Sequence, residues 1–183
     1  MLNRSYAVLT ALAATLTGVA APSLHAQAAP AAAPKPLLSP RDTTRATVGG
    51  ASVLVDYGRP SKRGREIFGE GKLVPYDKVW RTGANAATTL VTDKDLVIGG
   101  TNVPAGTYTL YSLPSGKGWQ LIINKETGQW GTKYDESKDL ARVPMKVSTL
   151  SDPVEKFEIT IPGDGMLHLK WDTVDATATI AAK

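Results

Sequence analysis

A chain of 183 residues with 42% hydrophobic and 21% charged residues has a globular composition, long enough for one domain with its own core. The absence of cysteine excludes thiol nucleophiles, thiolate metal sites and disulfides, so packing alone must hold the fold. A formal charge of +4 is too mild for a nucleic-acid binder, which concentrates far more positive charge on one face.

Residues 1–28 read as a secretory signal peptide. Arg4 supplies the positive start, Ala7–Ala21 is an apolar run, and Leu24-His25-Ala26 or Ala26-Gln27-Ala28 offers small residues for cleavage. A membrane anchor needs about 20 consecutive apolar residues, and Pro22 and His25 close this run too early. The expected product is periplasmic or secreted, has no membrane insertion after cleavage, and lacks a cysteine for a lipid anchor. Residues 29–40, rich in Ala and Pro, predict an extended tether. The folded domain is expected from Arg41 to the end, over 41–183.

From Arg41 onward, short β-type segments recur between turn signals. Residues 42–48 and 51–57 flank Gly49-Gly50 as a hairpin. After an irregular stretch, 87–92 and 95–98 are expected to pair around Asp93-Lys94. Gly99-Gly100 and Pro104-Ala105-Gly106 then lead into strands at 107–113 and 118–124. Loop signals run from Asn124 to Lys138, and 142–150 is a strand that Pro144 confines to an edge or bulge. Residues 154–161, 167–171 and 174–180 alternate apolar and polar side chains most cleanly, with His168 on the solvent face beside Lys170. No long amphipathic helix is predicted outside the leader. The expected fold is all-β, an antiparallel β-sandwich of jelly-roll type with one long irregular insert.

That insert, YGRPSKRGREIFGEGKLVPYDKVWRTGANAATT over 57–89, carries the chemistry. Such a length of irregular chain inside a compact domain is functional or disordered, and its aromatic content argues against disorder. It interleaves Arg59, Arg63, Arg65 and Arg81 with Tyr57, Phe68, Tyr76 and Trp80. Guanidinium forks suit carboxylate, sulfate or phosphate oxygens, and aromatic faces suit sugar rings or planar groups. The catalytic inventory is poor by comparison. His168 is the one imidazole left after leader removal, so a two-histidine metal site is excluded and no G-x-S-x-G turn accompanies it. Asp93 with Asp95, and Asp135, Glu136 with Asp139, lack the regular spacing of a calcium loop, so no metal is expected. No cofactor is implied. Asp56, Glu66 and Asp77 are the acids near the aromatics that a glycosidase-type hydrolysis would need, two carboxyls about 5–9.5 Å apart.

At these residues the chain resembles a bacterial family, the domain of unknown function 2911. The resemblance rests on Ser39-Pro40, YGRPSKRGREIFG at 57–69, LVPYDKVWRTGANAATTL at 73–90, VPAGTYTLYSLP at 103–114, WQLIINKETGQWGTKY at 119–134 and LHLKWD at 167–172. It implies an exported or envelope-associated, mostly β protein, and carries over no catalytic assignment. Tyr57, Arg59, Arg65, Trp80, Arg81, Gly83 and Asn85 are the shared candidates. The function expected first is non-catalytic recognition of an anionic or hydroxyl-rich small molecule or glycan. Arg59, Arg65 and Arg81 would hold it, Tyr57, Tyr76 and Trp80 would wall it, and Asn85 would add an amide contact. The alternatives are a carboxylate-dependent hydrolase acting on envelope carbohydrate, or a structural or protein-docking module.

Overall fold

The computed structural model describes residues 38–183, and the expected leader and nearly all of the tether lie outside the described residues. The first strand, β1 (Arg41–Val48), starts where the proline-rich composition ends. It pairs with β2 (Ala51–Gly58) through a two-residue turn in which Gly49 and Gly50 have φ of 54° and 81°. Positive φ at both positions is what a twisted hairpin demands and what glycine supplies without strain. The remaining strands are β3 (Thr88–Thr92), β4 (Leu96–Ile98), β5 (Thr101–Val103), β6 (Gly106–Leu113), β7 (Trp119–Asn124), β8 (Asp139–Thr160) and β9 (Met166–Ala182). All pairings are antiparallel, in the order β1-β2-β3-β6-β7-β8-β9-β4-β5. The fold is therefore all-β and antiparallel, with its strands joined in one nine-stranded sheet where two separate sheets were expected.

Two local expectations need correcting. The segments at 87–92 and 95–98 do not pair with each other: β3 lies between β2 and β6, while β4 pairs with β5 and β9. The turn between them is spent redirecting the chain. Thr92 Oγ1 donates to Lys94 O at 2.7 Å, and the Asp93 carboxylate accepts from Ser52 N at 2.7 Å. The segments 142–150 and 154–161 are one strand, β8, and 167–171 and 174–180 are one strand, β9. Pro144 faces Gln120 of β7 just before β9 joins the ladder at Lys146, so it occupies a stretch paired on one side only, as its missing N–H requires.

The β8–β9 ribbon is sharply bent. Gly165 O accepts from Ile180 N at 2.8 Å, although fifteen residues of extended strand would span about 50 Å. β9 thus doubles back near Asp172, whose φ is 54°. β8 follows around the outside of the corner: between the pairs Thr149↔Val174 and Val154↔Asp172 it spends four residues against one. The bend also reverses the parity of burial, which passes from Leu167, Leu169 and Trp171 to Ala176, Ala178 and Ile180.

This corner overturns the reading of His168 as a surface residue. Its side chain is only 14% exposed, with Nδ1 3.0 Å from Asp175 Oδ2 and Nε2 3.2 Å from Asp164 Oδ2. The hydrogen bond from His168 holds the Asp164 carboxyl below the usual aspartate range. Alternation had put His168 on the right face of its strand, but the doubled-back half of β9 covers it.

Every strand except β1 contributes buried residues to one core, including Val55 and Tyr57 (β2), Leu90 (β3), Leu110 (β6), Trp119 and Leu121 (β7), Phe157 and Ile159 (β8) and Trp171 (β9). The sheet curls until its first strand meets the β8–β9 ribbon: Thr44 Oγ1 of β1 donates to Ile159 O of β8, and a Cβ at Gly49 would lie 2.8 Å from that of Ala182 in β9.

Candidate functional site

The segment 59–87 between β2 and β3 closes the end of this curled sheet. Its entry is stitched to β8: Lys62 N donates to Glu155 O at 2.7 Å and Phe157 N to Pro60 O at 2.9 Å. Further on, Trp80 exchanges backbone bonds with Ser112 of β6, at 2.8 and 2.9 Å. Those two anchorages deliver Phe68 and Trp80 onto the core aromatics. Trp80 stacks on Trp171 at 5.9 Å and 19°, meets Phe157 edge-on at 5.0 Å, and meets Phe68 at 5.9 Å; Phe68 also abuts Trp119 at 4.8 Å. Edge-on and offset geometries of this kind add about 0.5–1.5 kcal/mol each beyond area burial.

Directly after Trp80 the backbone is strained. Thr82, Gly83 and Asn85 have φ of 51°, 148° and 64°. For a β-branched threonine this is a genuine outlier, and such strain persists only where the surroundings over-determine it. Here they do. Thr82 is fully buried, its hydroxyl lies 2.9 Å from Ser112 Oγ, and its carbonyl accepts from Thr88 Oγ1 at 2.7 Å. The loop lies backbone against backbone on the end of β2: a Cβ at Gly58 would sit 2.0 Å from Ala84 O, and one at Gly83 would sit 2.8 Å from Gly58 O. Glycine at 58 is a steric requirement.

The cations sort into two groups. Arg59 bonds Phe157 O at 3.1 Å and pairs with Asp42 (3.1 Å) and Glu158 (3.4 Å). Lys62 pairs with Asp172 at 2.5 Å and Lys72 pairs with Glu66. Arg63 Nη2 donates to Leu38 O at 3.0 Å. Arg65 spends Nε and Nη2 on the carbonyls of Lys62 and Ser61, at 2.9 and 2.7 Å. Arg81 differs: among the described residues its Nε is buried with no hydrogen bond at all. Native structures satisfy nearly all such groups, so each exception needs a reason.

Arg81 lies between two hollows. One, of about 320 Å³, is lined by Arg65, Trp80, Arg81, Asn85 and Trp171, with Leu38 and Ser39 at its rim. The other, of about 230 Å³, is lined by Lys78, Trp80, Arg81, Tyr111, Thr132 and Tyr134. Both are open concavities whose walls mix polar and apolar groups in similar measure. Neither lining includes a carboxylate or an imidazole. Asn85 Nδ2 donates to Ser39 O at 3.2 Å, tying the start of the domain across the first hollow.

Of the seven binding candidates, the structure brings together Arg65, Trp80, Arg81 and Asn85. Tyr57 is core, 2% exposed and edge-on to Phe157 at 5.7 Å, with burial pushing its phenol upward. Arg59 is committed to its ion pairs, and Tyr76 lies outside both hollows. The three acids are dispersed. Asp56 pairs with Arg41 and accepts from Thr43, Glu66 pairs with Lys72 at the surface, and Asp77 lines a separate hollow beside Trp119.

Three residues escaped the sequence reading. Lys78 lacks an acidic partner among the described residues and lines the second hollow. Gly131 seats Arg81, since a Cβ there would meet both Arg81 Cδ and Asn85 O at 2.6 Å. Tyr134 donates to Asp139 at 2.6 Å, and burial, then that bond, push its phenol up to about 12. The one visible signal was the aromatic and glycine content of the 124–138 loop. No curated protein and no solved structure matches this chain. Residues 39–180, from the residue that bonds Asn85 through nearly the whole of β9, match the family described as "Protein of unknown function (DUF2911)", and the chain belongs to that family.

Proposed function

We propose that this is an exported, non-catalytic domain that binds a small anionic molecule against Arg81. The observation that carries the reading is the buried Arg81 Nε with no partner among the described residues, beside hollows whose linings hold cations and no acid. A buried donor left unpaired costs about 1–3 kcal/mol, and an anionic oxygen would convert that cost into a charge-assisted bond. Trp80, which is only partly buried, offers an apolar wall for the rest of the molecule, and the Asn85 amide offers a neutral polar contact. The absence of carboxylate and imidazole from both linings leaves little for general acid–base chemistry. The signal-like leader at 1–28 supports export.

The test is thermal denaturation against acetate, benzoate, phosphate, sulfate and sugar phosphates. A ligand at one hundred times its Kd stabilises the native state by about 2.7 kcal/mol. At least one anion is expected to raise the melting temperature of the wild type but not of Arg81→Ala, which still folds. If none shifts it, the reading fails.

A further inference from the structure

We infer that the ligand carries two separated anionic groups, one on each side of the Trp80–Arg81 pair. This rests on the anion-binding reading above and narrows it to a class. The two hollows share Leu73, Val74, Trp80 and Arg81, so they adjoin across a common wall. Each lining also holds a second cation, Arg65 in one and Lys78 in the other. Arg59, Lys62 and Lys72 have acidic partners and line neither hollow; Arg65, Lys78 and Arg81 line them and have no acidic partner among the described residues, Arg65 being held by two backbone carbonyls.

One anion held by Arg65 and Arg81 would leave Lys78 facing a lining that holds no acid. Two anionic ends, joined by a short apolar spacer lying on Leu73 and Trp80, would meet all three. A planar guanidinium can bond two oxygens at once through its fork of donors, which lets Arg81 serve both ends. In the second hollow the Thr132 hydroxyl adds a neutral polar contact. Carboxylate and phosphonate ends share this chemistry, and the experiment separates them.

Calorimetric titration of the full chain with straight-chain dicarboxylates of two to six methylenes, the matching bisphosphonates, and their single-ended counterparts reads the inference directly. One spacer length is expected to bind at least about tenfold tighter than its single-ended counterpart, a ratio worth about 1.4 kcal/mol. The better of the two arms names the ends. Lys78→Gln is expected to collapse that ratio towards one, and Arg81→Gln to weaken both kinds of ligand. Equal affinity for single- and double-ended ligands, or an unchanged ratio in Lys78→Gln, overturns the two-ended inference while leaving anion binding standing. Binding by no member of either series overturns both.

Discussion

The β8–β9 ribbon and the 59–87 segment are built from similar side chains, aromatics and charges, yet they are settled to different degrees. On the ribbon, each polar group buried by the corner has found a partner. His168 sits between Asp164 and Asp175, Asp172 holds Lys62, and Trp171 Nε1 donates to Glu155 O at 3.2 Å. In the irregular segment, Phe68 and Trp80 are partly buried against the core aromatics, but Arg81 Nε remains unpaired among the described residues and two hollows flank it. A sheet satisfies its own backbone and leaves side chains free to pair across the ladder. A loop held in positive-φ conformations by neighbouring backbone cannot adjust to satisfy itself, and such strain gathers at sites that wait for a ligand.

The comparison can be broken at several points, and the steric one should be the most severe. Gly58→Ala drives a methyl group into Ala84 O where neither backbone can yield, so a loss of about 4 kcal/mol or more is expected in urea unfolding. A loss under about 1 kcal/mol would mean that the strained loop is not docked on β2 as described. Trp171→Ala removes the ring on which Trp80 stacks, and about 3–5 kcal/mol should go with it. The two arginines then sharpen the contrast. Arg59→Ala breaks two partly exposed ion pairs and should cost about 1 kcal/mol. Arg81→Ala breaks no ion pair and removes an unpaired buried donor together with its packing, so it should cost less than Arg59→Ala while abolishing anion binding. The smallest effect is in alkali. Because the Tyr134 phenol is raised above its ordinary value of 10, its contribution is complete below pH 10 and is lost as pH climbs through about 12. Tyr134→Phe should flatten that limb of the stability–pH curve, and an unaltered limb would remove Tyr134 as its source.

How much of this was legible in the chain follows the same division. Period-two alternation and Gly49-Gly50 located β1, β2, β6 and β7, because both signals act within a few residues. The apolar alternation of Leu167, Leu169 and Trp171 and of Ala176, Ala178 and Ile180 was also legible, but the parity reversal at Asp172, which buries Asp175, made one bent strand look like two. The covering of His168 followed from that bend, since its partner Asp175 lies on the far arm. β5 is three residues long, too short to show any period. At the candidate site, the sequence showed the cations and aromatics of one segment but could not sort them. Arg59 finds Phe157 and Glu158 some hundred positions away, and Arg81 is seated by Gly131, so nothing nearby separates a committed guanidinium from an uncommitted one.

The most direct test is the arginine Nε–Hε region of a proton–nitrogen NMR spectrum, with the Arg81 and Arg59 signals assigned by their loss in Arg81→Lys and Arg59→Lys. On titration with the best-binding anion, the Arg81 signal is predicted to move saturably and that of Arg59 to stay in place. Movement of Arg59 with Arg81 unmoved would contradict the assignment of the uncommitted donor to Arg81.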